Sequence, residues 1–455
     1  MHMTKEIGLN EAPHDPTFAE ALAVWARIGF LSFGGPAGQI ALMHRELVEE
    51  RRWISEKRFL HALNFCMLLP GPEAQQLATY IGWLLHGVRG GIVAGLLFVL
   101  PGFAVILCLS TAYMLFQQTD WLSGIFFGLK AAVLAIVIEA VLRVGRRALK
   151  TPFSLAVASL AFVALFFFNL SFPLVILFAG MAGYLRTVFS EEGRADSATE
   201  NAGDDTAYVV DRRQRLADAS AKSAIMVLAI GLAVWFIPIF GLFAFLGPGN
   251  VFTGIGLFFS KMAVVTFGGA YAVLAYVAQQ AVDVYGWLKP GEMLDGLALA
   301  ETTPGPLVLV LSFVGFLAAF REPLGLDPVV AGLFGAALAA WATFVPCFLW
   351  IFLGAPYVEA LRSNRALSGA LATISAAVTG VILNLAIWFA LHVVFARVAT
   401  LNAGAIAMPL PEWQSFQPAA FALAVFAAVL LFVLKRGVVT TLSICALTGW
   451  LLRYL

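Results

Sequence analysis

Apolar runs of about 20 residues, separated by short polar connections, fill almost the whole chain. A helix of that length rises about 30 Å, the thickness of a bilayer's hydrocarbon core, so the pattern predicts an all-α polytopic membrane protein. Uninterrupted spans are expected at Gly91–Phe116, Trp121–Leu142, Pro152–Asn169, Ser171–Phe189 and Ala224–Leu246, then at Asp327–Gly354, Ala366–Phe395, Phe416–Leu434 and Val438–Leu452. Four further apolar segments are interrupted. Thr17–Met43 breaks at Gly34-Gly35-Pro36, Phe59–Leu85 at Pro70-Gly71-Pro72, Val251–Val282 at Gly268-Gly269, and Met293–Phe320 at Pro304-Gly305-Pro306. Their limbs, about 11 to 16 residues each, rise only about 16–24 Å. Each broken segment is therefore expected to be a re-entrant helix-break-helix hairpin that returns to its own side, giving nine crossings and four hairpins. The long polar stretch, Ser190–Ser223, reads as a flexible linker.

Composition agrees. Hydrophobic residues make up 61% of the chain and charged residues 12%, about half the charged share of a soluble domain. The net charge of +1 and the lack of a basic cluster give no sign of a nucleic-acid partner; the lipid bilayer is the expected surroundings. Cys66, Cys108, Cys347 and Cys445 stand singly in apolar sequence without metal-type spacing and read as small hydrophobes. No cofactor or metal site is expected. Met1–Pro16 carries no cleavable signal pattern.

The strongest organising signal is an internal repeat. At an offset of 234 residues, Phe33, Gly34, Gly35, Ala41, Val48, Trp53, Leu60, Leu63, Pro70, Gly71, Pro72 and Leu77 meet identical residues, and Arg27 meets Lys261. Phe98–Pro101 matches Thr343–Pro346 at a larger offset, which places an insertion near Arg321–Pro328. The expected division is a cytoplasmic tail (1–16), a first repeat (17–189), a cytoplasmic linker (190–223) and a second repeat (224–455). The loop around Trp53 has five Lys/Arg and its partner around Trp287 has one, Lys289. By the positive-inside bias the first lies in the cytoplasm and the second outside. The extra span Ala224–Leu246 would flip the second half, making the repeats inverted in the membrane.

Irregular backbone inside a bilayer survives only when buried in protein or lining a wet cavity. Every hairpin's second limb starts at its tip, so four helix N-termini, each with unpaired N–H groups and about half a positive charge, should converge at mid-membrane. That is an anion site built from backbone. Candidate substrate-binding residues are Gly34, Gly35, Pro70, Gly71, Gly268, Gly269 and Gly305 at the breaks, with the hydroxyls of Ser32, Thr266, Thr302 and Thr303 and the amides of Gln39, Gln75 and Gln76 beside them. Arg27 and Lys261, two turns before their glycine pairs, are candidates to face the anion; the alternative is that they snorkel or neutralise Glu20 or Glu73. Lys130 pairs with Glu139 or serves the pathway. Glu73 and Glu301 are candidates for proton coupling, since burial raises a carboxyl pKa; for Glu73 a plain partnership with the helix dipole is the alternative. Nothing points to catalytic residues: there is no HExxH, no GxSxG and no paired intramembrane histidines.

At Phe30-Leu31-Ser32-Phe33-Gly34-Gly35-Pro36 with Gln39, Pro70-Gly71-Pro72-Glu73-Ala74-Gln75-Gln76-Leu77, Thr266-Phe267-Gly268-Gly269 and Thr303-Pro304-Gly305-Pro306, the sequence resembles the chromate ion transporter (CHR) family in its long, two-domain form. The resemblance implies a multi-pass protein of the cell (inner) membrane that exports chromate from the cytoplasm and confers chromate resistance, with sulfate as a related or competing substrate. The second half departs from the first: Ala270 stands for Pro36, Leu307 for Glu73, and Leu309 and Val310 for Gln75 and Gln76. A carrier for sulfate or another small oxyanion, an anion channel and an intramembrane enzyme remain as alternatives, and homo-oligomerisation is left open.

Overall fold

The structure, a computed structural model, describes residues 15–117, 119–189, 221–267, 270–357, 364–404 and 406–454. Most of the expected tail and linker, together with Gly268 and Gly269, lies outside them. The described chain is almost wholly helical, with one two-stranded sheet.

All four broken segments are helix-break-helix units. The first is α1 (Phe18–Leu31) and α2 (Gly35–His44), the second α3 (Glu56–Leu68) and the start of α4 (Glu73–Phe116). Each starts at a recognisable stop or cap. Thr17 and Glu20 form a capping box at α1, and Ser55 accepts the Arg58 N–H at α3. α1 buries Ala21, Val24, Trp25, Ile28 and Gly29, a stripe at helical spacing that lies against α4. Gly34 (φ +85°) and Gly35 (φ +70°) take the left-handed turn that a β-carbon would strain. After α5 (Asp120–Ala148), α6 (Pro152–Phe166) and α7 (Phe172–Phe189), the second half opens with α8 (Ala221–Leu246). Its broken units are α9 (Val251–Val265) with α10 (Ala270–Gln279), and α11 (Glu292–Glu301) with α12 (Val310–Arg321), the last preceded by a 3-10 turn, Leu307–Leu309. Then come α13 (Pro328–Gly354), α14 (Arg365–Val394), strands β1 (Val398–Ala403) and β2 (Ile406–Pro411), α15 (Pro418–Ala428) and α16 (Val438–Tyr454).

Several boundaries differ from the sequence expectation. The second limb at Pro72 and the span at Gly91 are one 44-residue element, α4, bent where His86 and Gly87 leave helical geometry. In the second half the same stretch is two helices, α12 and α13, parted by the 322–327 insertion. Among the described residues, six helices are long and apolar enough to cross a membrane. Among the nine expected crossings, α6, α15 with its π-helical extension, and α16 are shorter apolar helices. The β1–β2 hairpin, anchored by the Ala407 N–H on Phe167 O at 2.9 Å, was not foreseen. Cys66, Cys347 and Cys445 are buried as expected, whereas Cys108 is exposed.

Local structures recur between the halves. α2 and α10 both run into π-helical turns, Arg45–Glu50 and Gln280–Val284, which close on Ile54 N to Leu47 O and Leu288 N to Ala281 O. Backbones meet at Gly82 against Gly90 and at Gly315 against Gly335, where an added β-carbon would lie about 2.5 Å from a carbonyl oxygen. The long helices are exchanged. α5, of the first half, packs against α15 and α16 of the second; α14, of the second half, packs against α6 and α7 of the first. Gly449 sits on Gly124 and Gly128, and Gly183 on Gly369 and Thr373.

Candidate functional site

The four breaks meet, and they meet across the halves. The Gly71 N–H donates to Thr266 O at 2.8 Å, and the Gly305 N–H donates to Ser32 O at 2.8 Å. Both partners in one bond are 234 residues from those in the other. The second break of each half is thus tied to the first break of the opposite half. Support from behind is also crossed. An added β-carbon at Gly102 on α4 would lie 1.9 Å from Pro304 O, and one at Gly71 would lie 2.8 Å from Cys347 Sγ on α13. Gly71 (φ +129°) and Gly305 (φ +89°) hold backbone conformations that favour glycine.

The first turns after all four breaks enclose one small cavity of about 10 Å³. Pro36 and Gln39 come from α2, Pro72 and Glu73 from α4, Ala270 from α10, and Leu307 from the 3-10 turn before α12. It has room for about one water. Beside it lies a cavity of about 870 Å³ that shares Pro36, Glu73 and Ala270. Glu73 is the charged residue at their junction. The large cavity opens at the end of the bundle where α5 ends, α6 begins, α7 ends and α14 begins. Its walls carry Arg143, Arg147, Lys150 and Arg186, and Tyr271 faces it from α10.

The polar side chains singled out at the breaks make hydrogen bonds within the protein. Ser32 Oγ donates to Ile28 O at 2.6 Å, Thr266 Oγ1 to Met262 O at 2.5 Å and Thr303 Oγ1 to Leu299 O at 2.6 Å. Thr302 Oγ1 likewise donates to Leu299 O at 2.9 Å. These hydroxyl protons satisfy the last carbonyls of the first limbs, the usual local competition of Ser and Thr with helix bonding. Gln39 Nε2 donates to Gly305 O at 2.5 Å and Gln76 Nε2 to Pro70 O at 2.8 Å, so these amides fasten the tips. Gln75 Nε2 reaches Thr79 Oγ1 at 3.1 Å. The buried Oε1 atoms of Gln75 and Gln76 have no hydrogen-bond partner among the described residues.

The two paired cations line neither cavity. Arg27 reaches the fully buried Glu46 at 3.4 Å, a carboxylate that Arg51 also holds. Lys261 lies over the Tyr276 ring, 5.9 Å from its centre. Glu20 is occupied in the α1 cap. Lys130 pairs with Asp295 on α11 at 3.3 Å instead of with Glu139, and Tyr113 donates to the same Asp295 oxygen at 2.9 Å. Glu139 faces Arg143 at 3.6 Å. Glu301 is buried and accepts a hydrogen bond from the Tyr271 hydroxyl, which places it one side chain behind the large cavity. Arg143, Arg147, Lys150 and Arg186, given no binding role from the sequence, converge on this cavity. Arg143 and Arg147 are spaced i, i+4 on α5, and Lys150 follows two residues past its end.

A polytopic helical protein whose like halves close their broken helices around a narrow cavity, under a cationic vestibule, has the form of a membrane transport protein. The chain belongs to the chromate transporter family, whose sequence profile matches residues 19–184 and 253–450, one stretch in each half. It is 30% identical over 450 residues to a chromate transport protein of Pseudomonas aeruginosa, covering 96% of this chain and 93% of that one. A chromate transport protein of Cupriavidus metallidurans is 28% identical over 394 residues, 81% of this chain and 83% of its own. An uncharacterized transporter of Bacillus subtilis matches only 134 residues at 31% identity, 29% of this chain but 68% of that much shorter protein. No solved structure matches the chain.

Proposed function

We propose that this protein carries chromate out of the cytoplasm across the inner membrane and so confers chromate resistance. The observation that carries this reading is the cationic cavity that narrows onto four helix starts. Partial positive charge on those helix ends suits a tetrahedral dianion. Family membership and the names of the relatives agree with chromate as the substrate. In this reading the broken units are re-entrant hairpins, and the halves, 17–189 and 224–455, are inverted repeats. The reciprocal tip bonds and the exchanged long helices are what a twofold axis in the membrane plane would produce.

The vestibule end carries Arg143, Arg146, Arg147, Lys150, Arg186 and Arg365, so it is assigned to the cytoplasm. The inward face is then open and the mid-membrane site closed. A tetrahedral oxyanion is larger than the one-water cavity, so the tips must part to admit it. Parting breaks the two cross-half bonds at Gly71 and Gly305, which makes them the latch of an alternating-access cycle. Backbone N–H groups and glycines at the tips, rather than the side chains of Ser32, Thr266, Thr302 and Thr303, are then the anion's donors in the parted state. An inside-negative potential drives a dianion outward by about 4.6 kcal/mol per 100 mV, so export requires no other driving force.

Glu73, at the junction of the two cavities, takes up a proton as the anion passes, and Glu301 acts behind it through Tyr271. Everted membrane vesicles test the transport reading: labelled chromate should accumulate in them saturably, with labelled sulfate accumulating less. Accumulation confined to right-side-out vesicles would reverse the direction, and accumulation in neither would remove chromate as the substrate. In the same vesicles Glu73→Gln should flatten the pH dependence of uptake, and an unaltered pH profile would take Glu73 out of the cycle.

A further inference from the structure

Among the described residues, the positions equivalent to the vestibule's four cations in the other half carry no lysine or arginine. α14 is the repeat partner of α5 at an offset of 245 residues, the register in which Gly124 and Gly369 make equivalent contacts with Gly449 and Gly183. In that register Arg143, Arg147 and Lys150 correspond to Trp388, His392 and Phe395. Leu452, three residues past Gly449, stands where Arg186 stands three past Gly183. α14 lines the vestibule from Gly369 to Ser375 and again at Ile382, and Trp388 and His392 lie beyond these toward its other end, about 9–15 Å past Ile382 along the helix. There the Trp388 and His392 rings lie against each other, with centres 4.1 Å apart. Four cations at one end are replaced by two aromatic rings, an imidazole and a leucine at the other.

Three of the four vestibule cations have no carboxylate partner among the described residues; Arg143 faces Glu139 at 3.6 Å. Arg147 and Lys150 have no ion-pair partner among the described residues, and both are exposed to the cavity. Arg186 lies over the Phe153 ring at 4.2 Å, which holds its guanidinium at the wall without neutralising it. The cavity is much larger than a tetrahedral oxyanion, so a fitted pocket is not what it offers. It offers a concave enclosure lined by four cations, of which Arg143 is faced by Glu139, and by one carboxylate, Glu73, at its floor. Such an enclosure concentrates anions by roughly 10- to 1,000-fold, and does so more strongly for two charges than for one.

We propose that the vestibule is a separate capture site for hydrated tetrahedral dianions on the cytoplasmic face, formed by Arg143, Arg147, Lys150 and Arg186, and that it sets the inner-face affinity of transport. This rests on the export reading above and adds to it a second anion station, upstream of the helix tips. The site acts by charge, so ionic strength should weaken it over the Debye length of about 8 Å at physiological salt. It also leaves the two faces with unequal affinity, because the equivalent positions at the outer end are not basic and the neighbouring Arg397 and Arg453 are paired with Glu412 and Asp120.

The experiment measures chromate transport from each face, with everted and right-side-out vesicles, for wild type, Arg147→Ala/Lys150→Ala, Arg147→Lys and Arg146→Ala. Arg146 shares the same basic stretch and topological role but does not line the cavity. The double variant should raise the KM for chromate at the cytoplasmic face about tenfold with little change in maximal rate, leave the outer-face KM unaltered, and lose most of the salt dependence of KM. Arg147→Lys should retain a wild-type KM, and Arg146→Ala should behave as wild type. An unaltered inner-face KM, or an equal rise in Arg146→Ala, overturns the capture site. Equilibrium dialysis of labelled chromate against purified protein in neutral-lipid nanodiscs separates this outcome from failure of the export reading. Chromate binding lost in the double variant sustains the site even in a protein that does not transport. Binding unaltered in neutral lipid but abolished by anionic lipid in both proteins would assign the vestibule to lipid headgroups instead.

Discussion

Gly102→Ala is the sharpest test of the crossed support behind the tips. The added methyl carbon would lie 1.9 Å from Pro304 O, where contacts under 3.0 Å essentially do not occur. The opposing group is backbone, so α4 and the second-half tip must separate by at least about 1.1 Å. A shift of that size along the tip bond stretches Gly305 N–H to Ser32 O from 2.8 Å to beyond hydrogen-bonding range. Overpacking costs about 1–3 kcal/mol and the lost bond about 0.5–1.5 kcal/mol, so roughly 2–4 kcal/mol is expected in total. Gly82→Ala is the matched comparison, since its β-carbon would lie 2.5 Å from Gly90 O on the same bent element but away from the tips. Both variants should unfold at a lower temperature in detergent, followed by the fluorescence of a thiol or tryptophan probe. Gly102→Ala alone should also lose most vesicle transport measured below both transitions. Wild-type stability and transport in Gly102→Ala, or an equal transport loss in Gly82→Ala, would refute the cross-half support.

Three further outcomes are expected. Tyr271→Phe leaves the buried Glu301 without its phenol donor, which should cost about 1–3 kcal/mol by thermal unfolding and alter the pH profile of uptake in the manner of Glu301→Gln. Arg27→Ala should leave the KM for chromate unaltered and lower stability by less than about 1 kcal/mol, because Arg51 still holds Glu46; a large KM increase would return Arg27 to the anion path. Lys130→Met strands Asp295 in the interior and should destabilise the protein by roughly 3–5 kcal/mol, with Lys130→Met/Asp295→Leu recovering much of the loss; a double variant worse than the single would contradict the pairing.

How much of this was legible in the sequence depended on how local the governing physics is. Proline and glycine break helices wherever they stand, so the breaks at Gly34-Gly35, Pro70-Gly71-Pro72 and Pro304-Gly305-Pro306 were readable, and the 234-residue repeat foretold that they would be related. Hydropathy located the apolar helices for the same reason. It could not tell that α4 continues through His86–Gly87 with a bend, because a bent helix and two helices joined by a turn have the same apolar pattern. The hydroxyls at Ser32, Thr266 and Thr303 lie four residues after a free helical carbonyl, and that spacing alone could have warned that their protons are taken. Ion-pair partners are set by packing between distant elements. The choice of Glu46 for Arg27, of Asp295 for Lys130 and of a shared cavity for Arg147 and Arg186 therefore had no signature in spacing.

The exchange of α5 and α14 has a consequence for how the molecule is made. α5 is complete about 270 residues before α15 begins. At ordinary translation speeds the groove that α15 and α16 will fill stands empty in the membrane for roughly 15–50 s. A first half released alone would present that groove to any chain carrying the same terminal helix pair, and the nearest such chain is another newborn copy of itself. Joining two halves in one polypeptide supplies the correct partner at high effective concentration. The fused chain is thus its own assembly factor, and cutting it between the halves should turn an intramolecular step into one that depends on expression level.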